Sequence, residues 1–507
     1  MEKKLLIGIL MIGVVLLAVS AFFFLEPTVT KESVSQRFSD FNTQFQEKRA
    51  QGYDVTEAEE FARKAKQAFD KEDYRAANKF LDKAFEALEK AEIPVIPEKI
   101  KEEAKEKLSQ VKIVSHYQCV TDWMHPIHGE NQRSAEDVAK ILKEVHTDFI
   151  FKGWKRWGPT PESPDIPPDD FFTPEYIERA SIKGCTYEQL RDALSKIKKE
   201  MPDVIFCGVV SLEFVHAKER NPISGETFDR NETWEMALDP GKWGIPVSKE
   251  EFQAWFARVD GLIEPDEPYD WEKMDKYFPD ITNPKFQELF LSWAKKQIDL
   301  GVDAIWIDFL FSQPKYLALM TGDPNHPGVK ESYEATLKIV DEIHAYGLSK
   351  YGRYIYIGSW PRFAHPRFSS YPPPALDFIT ISLSSKEILN QELDEEKWDN
   401  AIKLIREKID VPIFAYLDIG PSNYPLTVFS QNLSKEEQRE MLKKLDDFFS
   451  ERGVIFVYPI HEVGLGKGSK KLSFGKYYIY DALAPEFGTY EIIKELAQNK
   501  KNEVRSN

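Results

Sequence analysis

Cysteine is scarce in this chain of 507 residues, which contains only Cys119, Cys185 and Cys207. Three cysteines without a Cys-x-x-Cys spacing form no disulfide framework, so we expect three buried thiols. The sequence also lacks a Gly-x-Ser-x-Gly elbow, a phosphate-binding loop and a dinucleotide-binding glycine fingerprint. These absences argue against a serine hydrolase of the elbow type, a nucleotide hydrolase and a dinucleotide-dependent enzyme.

Basic charge is also in deficit. Lys and Arg number 67 against 84 Asp and Glu, which gives a formal net charge of -17. Because nucleic-acid phosphates require a basic surface, this balance argues against a nucleic-acid partner. Hydrophobic residues make up 42% of the chain and charged residues 30%, as in globular proteins. The length favours two or three units, and the abundance of Lys and Glu hints at a thermophilic source.

The N-terminus carries a long uncharged run, residues 5–25, directly after Lys3 and Lys4. About 20 apolar residues match the hydrocarbon core of a bilayer and exceed the usual apolar region of a cleaved signal. The segment 1–27 is therefore predicted to be an uncleaved single-pass membrane anchor. Ala18-Val19-Ser20-Ala21 also allows cleavage, and the protein would then be secreted. The positive-inside rule predicts an extracytoplasmic location for the rest of the chain.

Glycine is nearly absent from residues 29–110, where apolar side chains recur at helical spacing over 58–69 and again over 77–88. A polar break at residues 70–74 separates the two stretches. The pattern predicts an all-α hairpin, with a further helix possible through Phe38 and Phe45. We assign residues 28–108 to a helical stalk between the membrane and the remaining domain.

From Lys112 onward, strand and helix patterns alternate eight times, which predicts an α/β fold with a closed (β/α)8 TIM barrel over 109–498. An open doubly wound sheet is the alternative. The fifth connection is short and contains Pro372–Pro374, so its helix is doubtful. A long insertion at 215–281 would cover the catalytic face, and 499–507 form a polar tail. The predicted strands are Ile113–Cys119, Asp148–Trp154, Val204–Phe214, Ala304–Phe309, Tyr354–Trp360, Phe378–Ser384, Pro412–Asp418 and Val454–Glu462.

Four of these strands end on or near a carboxylate. The active site of a TIM barrel lies at the C-terminal ends of its strands. Because unpaired buried carboxylates are costly, four acids at those ends indicate a catalytic or binding role. Carboxylates beside aromatic rings suit glycoside hydrolysis, in which two acids flank the scissile bond and sugar faces stack on the rings. The candidate catalytic residues are Asp308, Asp418 and Glu462, and the candidate substrate-binding residues are Glu213, His116, Trp154, Trp360, Tyr416 and His461.

Two short segments around the fourth strand resemble a known family. The octapeptide Tyr277–Pro284 contains Asp-x-Thr-Asn-Pro, and Gly301–Asp308 reads Gly-Val-Asp-Ala-Ile-Trp-Ile-Asp. About 35 residues are thereby similar to the strand-4 region of retaining glycosidases of the α-galactosidase and α-glucosidase superfamily. Polygalactosaminidase-like barrels share a similar strand, and chitinase-like barrels a weaker one that requires Glu where Leu310 stands. The resemblance implies that Asp308 is the nucleophile of a retaining glycosidase.

That superfamily takes its acid/base from near strand 6, where this chain offers only Glu387, so Asp418 or Glu462 is the expected proton donor. The predicted function is an extracytoplasmic glycoside hydrolase that needs no cofactor and acts on an oligo- or polysaccharide. A non-catalytic glycan-binding barrel is the main alternative. A metal-dependent hydrolase is the third, with possible metal ligands at His116, Asp122, His125 and His128.

Overall fold

The chain forms two compact units, residues 1–94 and 95–507, in the computed structural model. Within the described residues, no helix has both the length and the apolar character needed to cross a membrane. The predicted anchor at 5–25 lies outside those residues. The described ranges are 29–50, 53, 55–91, 97–121, 132–156, 158–420, 423–463 and 479–506.

The first unit contains the helices α1 (Lys31–Ala50), α2 (Thr56–Asp70) and α3 (Tyr74–Lys90). Helices α2 and α3 confirm the predicted hairpin, and α1 occupies the region of the possible preceding helix. The side chain of Asp73 accepts a hydrogen bond from the backbone N–H of Ala76 at 3.0 Å, which caps the start of α3. The apolar stripes of the helices pack together as a separate core.

The second unit is built on eight parallel strands that close into a barrel, which confirms the predicted fold class. Each strand pairs with the next in sequence, and β8 returns to pair in parallel with β1. A ninth strand, Ile479–Asp481, adds antiparallel to β8. The barrel strands β1 to β8 are Val114–Tyr117, Phe149–Lys155, Ile205–Ser211, Ala304–Asp308, Tyr356–Ser359, Phe378–Ser382, Ile413–Tyr416 and Ile455–Val463.

Alternate residues of these strands fill the barrel with a largely aromatic interior that includes Phe149, Phe151 and Trp306. Helix α4 (Glu98–Ser109) packs against the same interior cluster. The Tyr356 hydroxyl, near the start of β5, donates to the backbone carbonyl of Ala104 in α4 at 3.2 Å. Helix α4, which the sequence assignment placed in the stalk, thus covers the N-terminal end of the barrel. The opposite end carries the strand tips.

The helices that follow most strands match the predicted pattern, and the fifth connection has no α-helix among its described residues. It contains only the short 3-10 segments Pro361–Ala364 and Pro366–Phe368. The last helix continues through the predicted polar tail to Ser506. The helices α5 to α17 are Ala135–Glu144, Pro174–Ile182, Tyr187–Glu200, Arg230–Glu235, Lys249–Val259, Pro284–Asp299, Ser312–Thr321, Pro327–Tyr351, Ser385–Asn390, Glu395–Arg406, Pro425–Asn432, Lys435–Glu451 and Tyr490–Ser506.

The Asp-x-Thr-Asn-Pro segment has a structural role at the start of α10. The Asn283 side chain accepts hydrogen bonds from two backbone N–H groups in the first turn, and Pro284 takes the first helical position. Asp280 is buried, forms an ion pair with Lys242 and accepts a hydrogen bond from Gln313 at 2.9 Å. These contacts fix the chain before the helix that leads into β4.

Candidate active site

Asp308 is the last residue of β4 and stands half-buried at the C-terminal end of the barrel. Its Oδ1 accepts hydrogen bonds from the indole Nε1–H of Trp360 at 2.9 Å and from the backbone N–H of Phe309 at 3.0 Å. Within the described part of the chain, its Oδ2 accepts no hydrogen bond and the carboxylate has no Lys or Arg partner within 4.0 Å. One oxygen of Asp308 is therefore oriented while the other is left for a ligand.

Left-handed backbone occurs within or just beyond three barrel strands, β1, β2 and β4. Phe309 has φ 62°, Lys152 has φ 54° and Cys119 has φ 55°, although none of them is glycine. Such conformations cost of order 1–3 kcal/mol each and persist only where the surroundings enforce them. At Phe309 the turn directs the backbone N–H toward the Asp308 carboxylate. The strained backbone therefore helps to orient the Asp308 side chain.

Lys152 reaches the barrel interior because β2 contains a bulge. Ile150 pairs with Phe206 of β3 and Trp154 pairs with Gly208. The step from one pair to the next therefore takes four residues in β2 and only two in β3. The ammonium group lies 4.5 Å from the ring centroid of Trp306 and 4.6 Å from that of Tyr416. Burial lowers the pKa of Lys152, although the charges of Asp418 and Asp308 act in the opposite direction. A buried cation is thus placed among the acids.

Asp418 is the main partner of Lys152. Its Oδ1 lies 3.6 Å from Lys152 Nζ and accepts a hydrogen bond from the Tyr416 hydroxyl at 3.0 Å, and Lys152 Nζ donates to the same hydroxyl at 3.2 Å. The Asp418 side chain keeps 21% of its surface exposed, against 7% for Lys152. Burial raises the pKa of Asp418, the Lys152 charge lowers it, and the Asp308 charge raises it again.

We expect the Lys152→Met variant to lose about 3 kcal/mol of unfolding free energy near neutral pH, because it leaves Asp418 buried without a counter-charge. The loss should shrink as the pH falls, since the pKa of Asp418 rises further without Lys152 and its protonated form needs no partner. Chemical denaturation at several pH values measures both effects.

The double variant Lys152→Met/Asp418→Asn is the matched control for this pair and should recover most of the lost stability. Equal instability of the single and double variants would show that packing of the Lys152 stem, and not its charge, is what matters.

Glu213 follows the end of β3, and the neighbouring insertion supplies its surroundings. Burial raises the pKa of Glu213 to about 8, and the charge of Asp308 contributes to this rise. Burial also raises the pKa of Asp260, while a hydrogen bond from Glu213 lowers it. Lys276 lies over the ring of Phe214 at 3.3 Å, and its charge opposes the rise at both acids. The carboxyl group of Glu213 is therefore shifted toward its protonated form.

Tyr424, in the loop after β7, lies near these acids. Burial raises its pKa, and the charges of Asp418, Glu213, Asp308 and Asp260 all add to the rise, so the phenol stands within electrostatic reach of all four. Its side chain is 37% exposed. A Cβ on Gly420 would lie 2.7 Å from its ring, so only glycine leaves room for it there. No sequence pattern marks Tyr424 or Asp260, because loops of unpredicted path bring both to the site.

Three of the nine predicted site residues, Asp308, Asp418 and Glu213, thus share one electrostatic environment, and Trp360 and Tyr416 adjoin it. The Trp360 ring lies 5.5 Å from that of Tyr416 and 5.6 Å from that of Trp306. These residues form a partly open group of acids beside aromatic rings, an arrangement that suits a ring with several hydroxyls.

His116 and Glu462 are sealed inside the barrel, at 1% and 0% side-chain exposure. His116 Nδ1 lies in contact with Glu462 Oε1. Burial lowers the pKa of His116 well below its usual range, and the charges of Lys152 and His461 add to this effect. Strict alternation along β8 would place Glu462 on the same side of the strand as Tyr458 and Ile460. Those two pack on the outer side, and Glu462 reaches His116 because the β1–β8 register shifts beyond His116.

His461 and Trp154 point away from the group of acids. His461 is fully buried, and its Nδ1 lies 3.0 Å from Asp481 Oδ2, with the Tyr117 ring 4.9 Å away. Trp154 is buried on the outer side of the barrel, where its indole N–H donates to the Gly184 carbonyl at 3.2 Å. The bulge in β2 accounts for the placement of Trp154, because Lys152 occupies the inward position near the tip.

Among the described residues, the remaining candidates are not part of the group of acids. Within the described ranges, no three His, Cys, Asp or Glu side chains are grouped as metal ligands, and Asp122, His125 and His128 lie outside those ranges. Glu387 caps α13 and forms an ion pair with Lys397, and these contacts bring its pKa to about 2 despite burial. All three cysteines are buried thiols, as predicted.

No family model and no curated protein matches the chain. Solved structures with a similar fold include an α-amylase from Geobacillus thermoleovorans, at 12% identity, 77% of this chain, 78% of that chain and TM-score 0.38. A GH27 β-L-arabinopyranosidase from Geobacillus stearothermophilus is 11% identical over 78% of each chain, with TM-score 0.36. The glycoside hydrolase domain of PelA from Pseudomonas aeruginosa is 11% identical over 63% of this chain and 90% of that chain, with TM-score 0.32. The likeness concerns the glycoside-hydrolase-like barrel fold alone.

Proposed function

We propose that this protein is a retaining glycoside hydrolase that acts on an oligo- or polysaccharide. One observation carries the proposal: the charge of Asp308 acts on the carboxyl groups of Glu213 and Asp418, which come from two other barrel strands, beside exposed and half-buried aromatic rings. Two carboxyl groups in different protonation states are what glycoside cleavage requires.

Asp308 is the nucleophile in this proposal. Its Oδ1 is held by Trp360 and the backbone of Phe309, which leaves Oδ2 to attack the anomeric carbon. The new carbon–oxygen bond forms as the glycosidic bond breaks, and the leaving oxygen needs a proton. The indole donor orients the carboxylate without the full charge compensation that a Lys or Arg would bring.

Glu213 supplies that proton, because its pKa of about 8 keeps it protonated at neutral pH. Burial is the first cause of this raised value and the Asp308 charge is the second. Formation of the glycosyl ester neutralises Asp308, so the pKa of Glu213 falls and the deprotonated group can take a proton from the attacking water. The same pair of side chains thus accounts for both steps.

Asp418 and Glu462, the donors expected from the sequence, are less suited to this role. Asp418 is paired with Lys152, whose charge opposes the rise that burial brings to the pKa of Asp418. Glu462 is closed off with His116. We assign Asp418 to binding a sugar hydroxyl and to holding Lys152, and we assign Tyr424 to stacking on a sugar face.

We also propose that the enzyme is extracytoplasmic and anchored in the membrane by residues 5–25, on the strength of the apolar run alone. Retention of the full chain in the membrane fraction after alkaline carbonate washing, and its release by deletion of 1–27, would support the anchor. Release of the full chain would reject it.

The test of function is a screen of the full chain against α- and β-linked oligosaccharides, followed by proton NMR of the first product released. We expect that product to keep the anomeric configuration of the substrate. Initial release of the opposite anomer would overturn the nucleophile assignment while leaving hydrolysis itself intact.

A non-catalytic glycan-binding protein is the second candidate, favoured by the pairing of Asp418 with Lys152 and of Glu462 with His116. Glycan binding without turnover in the same screen would favour it.

A further inference from the structure

A basic cavity of about 630 Å³ lies between the loop after β2, helix α6 and the insertion. Its cationic side chains outnumber its carboxylates by four to one, in a chain whose acids outnumber its bases by 84 to 67. A concave surface of one sign attracts ligands of the opposite sign. The charged lining residues are Arg179, Lys183, Lys218, Arg230 and Asp275.

Within the described residues the four cations of this cavity form no ion pair, although the charge of Arg230 acts on Asp270. In the described part of the chain, Arg179, Lys183 and Lys218 form no ion pair within 4.0 Å. Arg230 donates to neutral acceptors only, which are the carbonyls of Met274 and Trp271 and the Tyr277 hydroxyl. Their charge is therefore available to a ligand.

The basic cavity adjoins the candidate active site through His216. This residue lines both the basic cavity and a smaller one of about 140 Å³ that is also lined by Glu213. Glu219 Oε1 lies 3.0 Å from His216 Nδ1 and accepts the His216 backbone N–H at 3.2 Å, and Arg156 holds the buried Glu219 in turn. The His216 side chain thus lies between the two cavities and is held in place by Glu219.

We propose that the basic cavity binds an anionic group of the saccharide, a carboxylate or a sulfate ester, so that the substrate is an acidic glycan. The inference rests on the proposed function, since it takes the group beside Glu213 to belong to the substrate. Arg179 suits planar anions because its guanidinium donates in a fork, and it lies 5.2 Å from the ring centroid of Tyr176, another lining residue. The net charge of -17 disfavours non-specific binding of polyanions to the chain as a whole.

The test measures binding of the full-length Asp308→Asn variant, which does not consume the glycan, by affinity electrophoresis in alginate, dextran sulfate or neutral dextran. Alginate carries carboxylates and dextran sulfate carries sulfate esters, so the two gels separate the two chemistries. We expect retardation by at least one polyanion and little by dextran. Inorganic sulfate should not compete at matched ionic strength, because a free anion lacks the sugar contacts.

Adding Arg179→Gln/Lys183→Gln should weaken polyanion binding about tenfold, since a single exposed pair contributes a factor of roughly two to five. The matched control is Lys99→Gln/Lys105→Gln on α4, which removes the same charge from side chains that are 84% and 69% exposed. The control pair should bind as the parent does.

Equal losses in the cavity and control pairs, or equal binding of dextran and both polyanions, would overturn the inference. Full competition by inorganic sulfate would assign the cavity to a free anion and overturn it as well. Because binding is measured without turnover, a failure of the hydrolysis screen leaves a positive binding result standing, and the two proposals fail separately.

Discussion

The Asp308→Asn variant should lose turnover by about 10⁴-fold or more, the scale on which enzymes lose activity when a covalent nucleophile is removed. The amide is nearly isosteric, and its oxygen can still accept from Trp360 and from the backbone of Phe309. The fold should therefore survive, with a free energy of unfolding equal to or above that of the parent, because a charge near Glu213 and Asp418 is removed.

Two further measurements make this prediction specific. The pKa of Glu213 should fall in Asp308→Asn, because the Asp308 charge helps to raise it, and a carbon-13 titration of the glutamate side chains would detect the change. Asp410→Asn, at a carboxylate that is 93% exposed, is the control that should leave turnover unchanged. Residual activity above one tenth in Asp308→Asn would reject Asp308 as the nucleophile.

The barrel could be predicted from the sequence because its signals are local. Strands buried on both faces appear as short apolar runs, and each of the eight barrel strands lies within a predicted run or within a residue of its ends. The sequence also indicated that the fifth connection is a poor candidate for an α-helix, since consecutive prolines remove backbone donors. The position of Asp308 followed from the same logic, because β4 is regular and its alternation continues to its last residue.

The rest of the site could not be predicted from local patterns. Two irregular strands interrupt the alternation of inward-facing and outward-facing side chains on which such predictions depend. The bulge in β2 directs Lys152 inward and leaves Trp154 outside, and the shift in β8 turns Glu462 toward His116. Asp260 and Tyr424 come from loops whose paths no periodicity encodes. The left-handed backbone at Lys152 leaves no mark in the sequence.

The Glu213→Gln variant should lose about 10² to 10⁴-fold in kcat/KM on saccharides with a poor leaving group, the range that a general acid contributes. The loss should be far smaller on a dinitrophenyl glycoside of the same sugar, because that leaving group departs without a proton. The second step still lacks its base, so a burst of dinitrophenol followed by slow turnover is expected. Glu264→Gln, at an exposed glutamate of the same insertion, is the matched control and should show neither effect.

The pH profile of the parent tests the same assignment independently. The proton donor must be protonated in the free enzyme, and the pKa of Glu213 is raised to about 8. The value of kcat/KM should therefore hold up to about pH 8 and fall tenfold for each further pH unit, since each unit removes nine tenths of the protonated form. In Glu213→Gln this alkaline limb should disappear. If it persists there and vanishes in Asp418→Asn, then Asp418 donates the proton, as the sequence alone allowed.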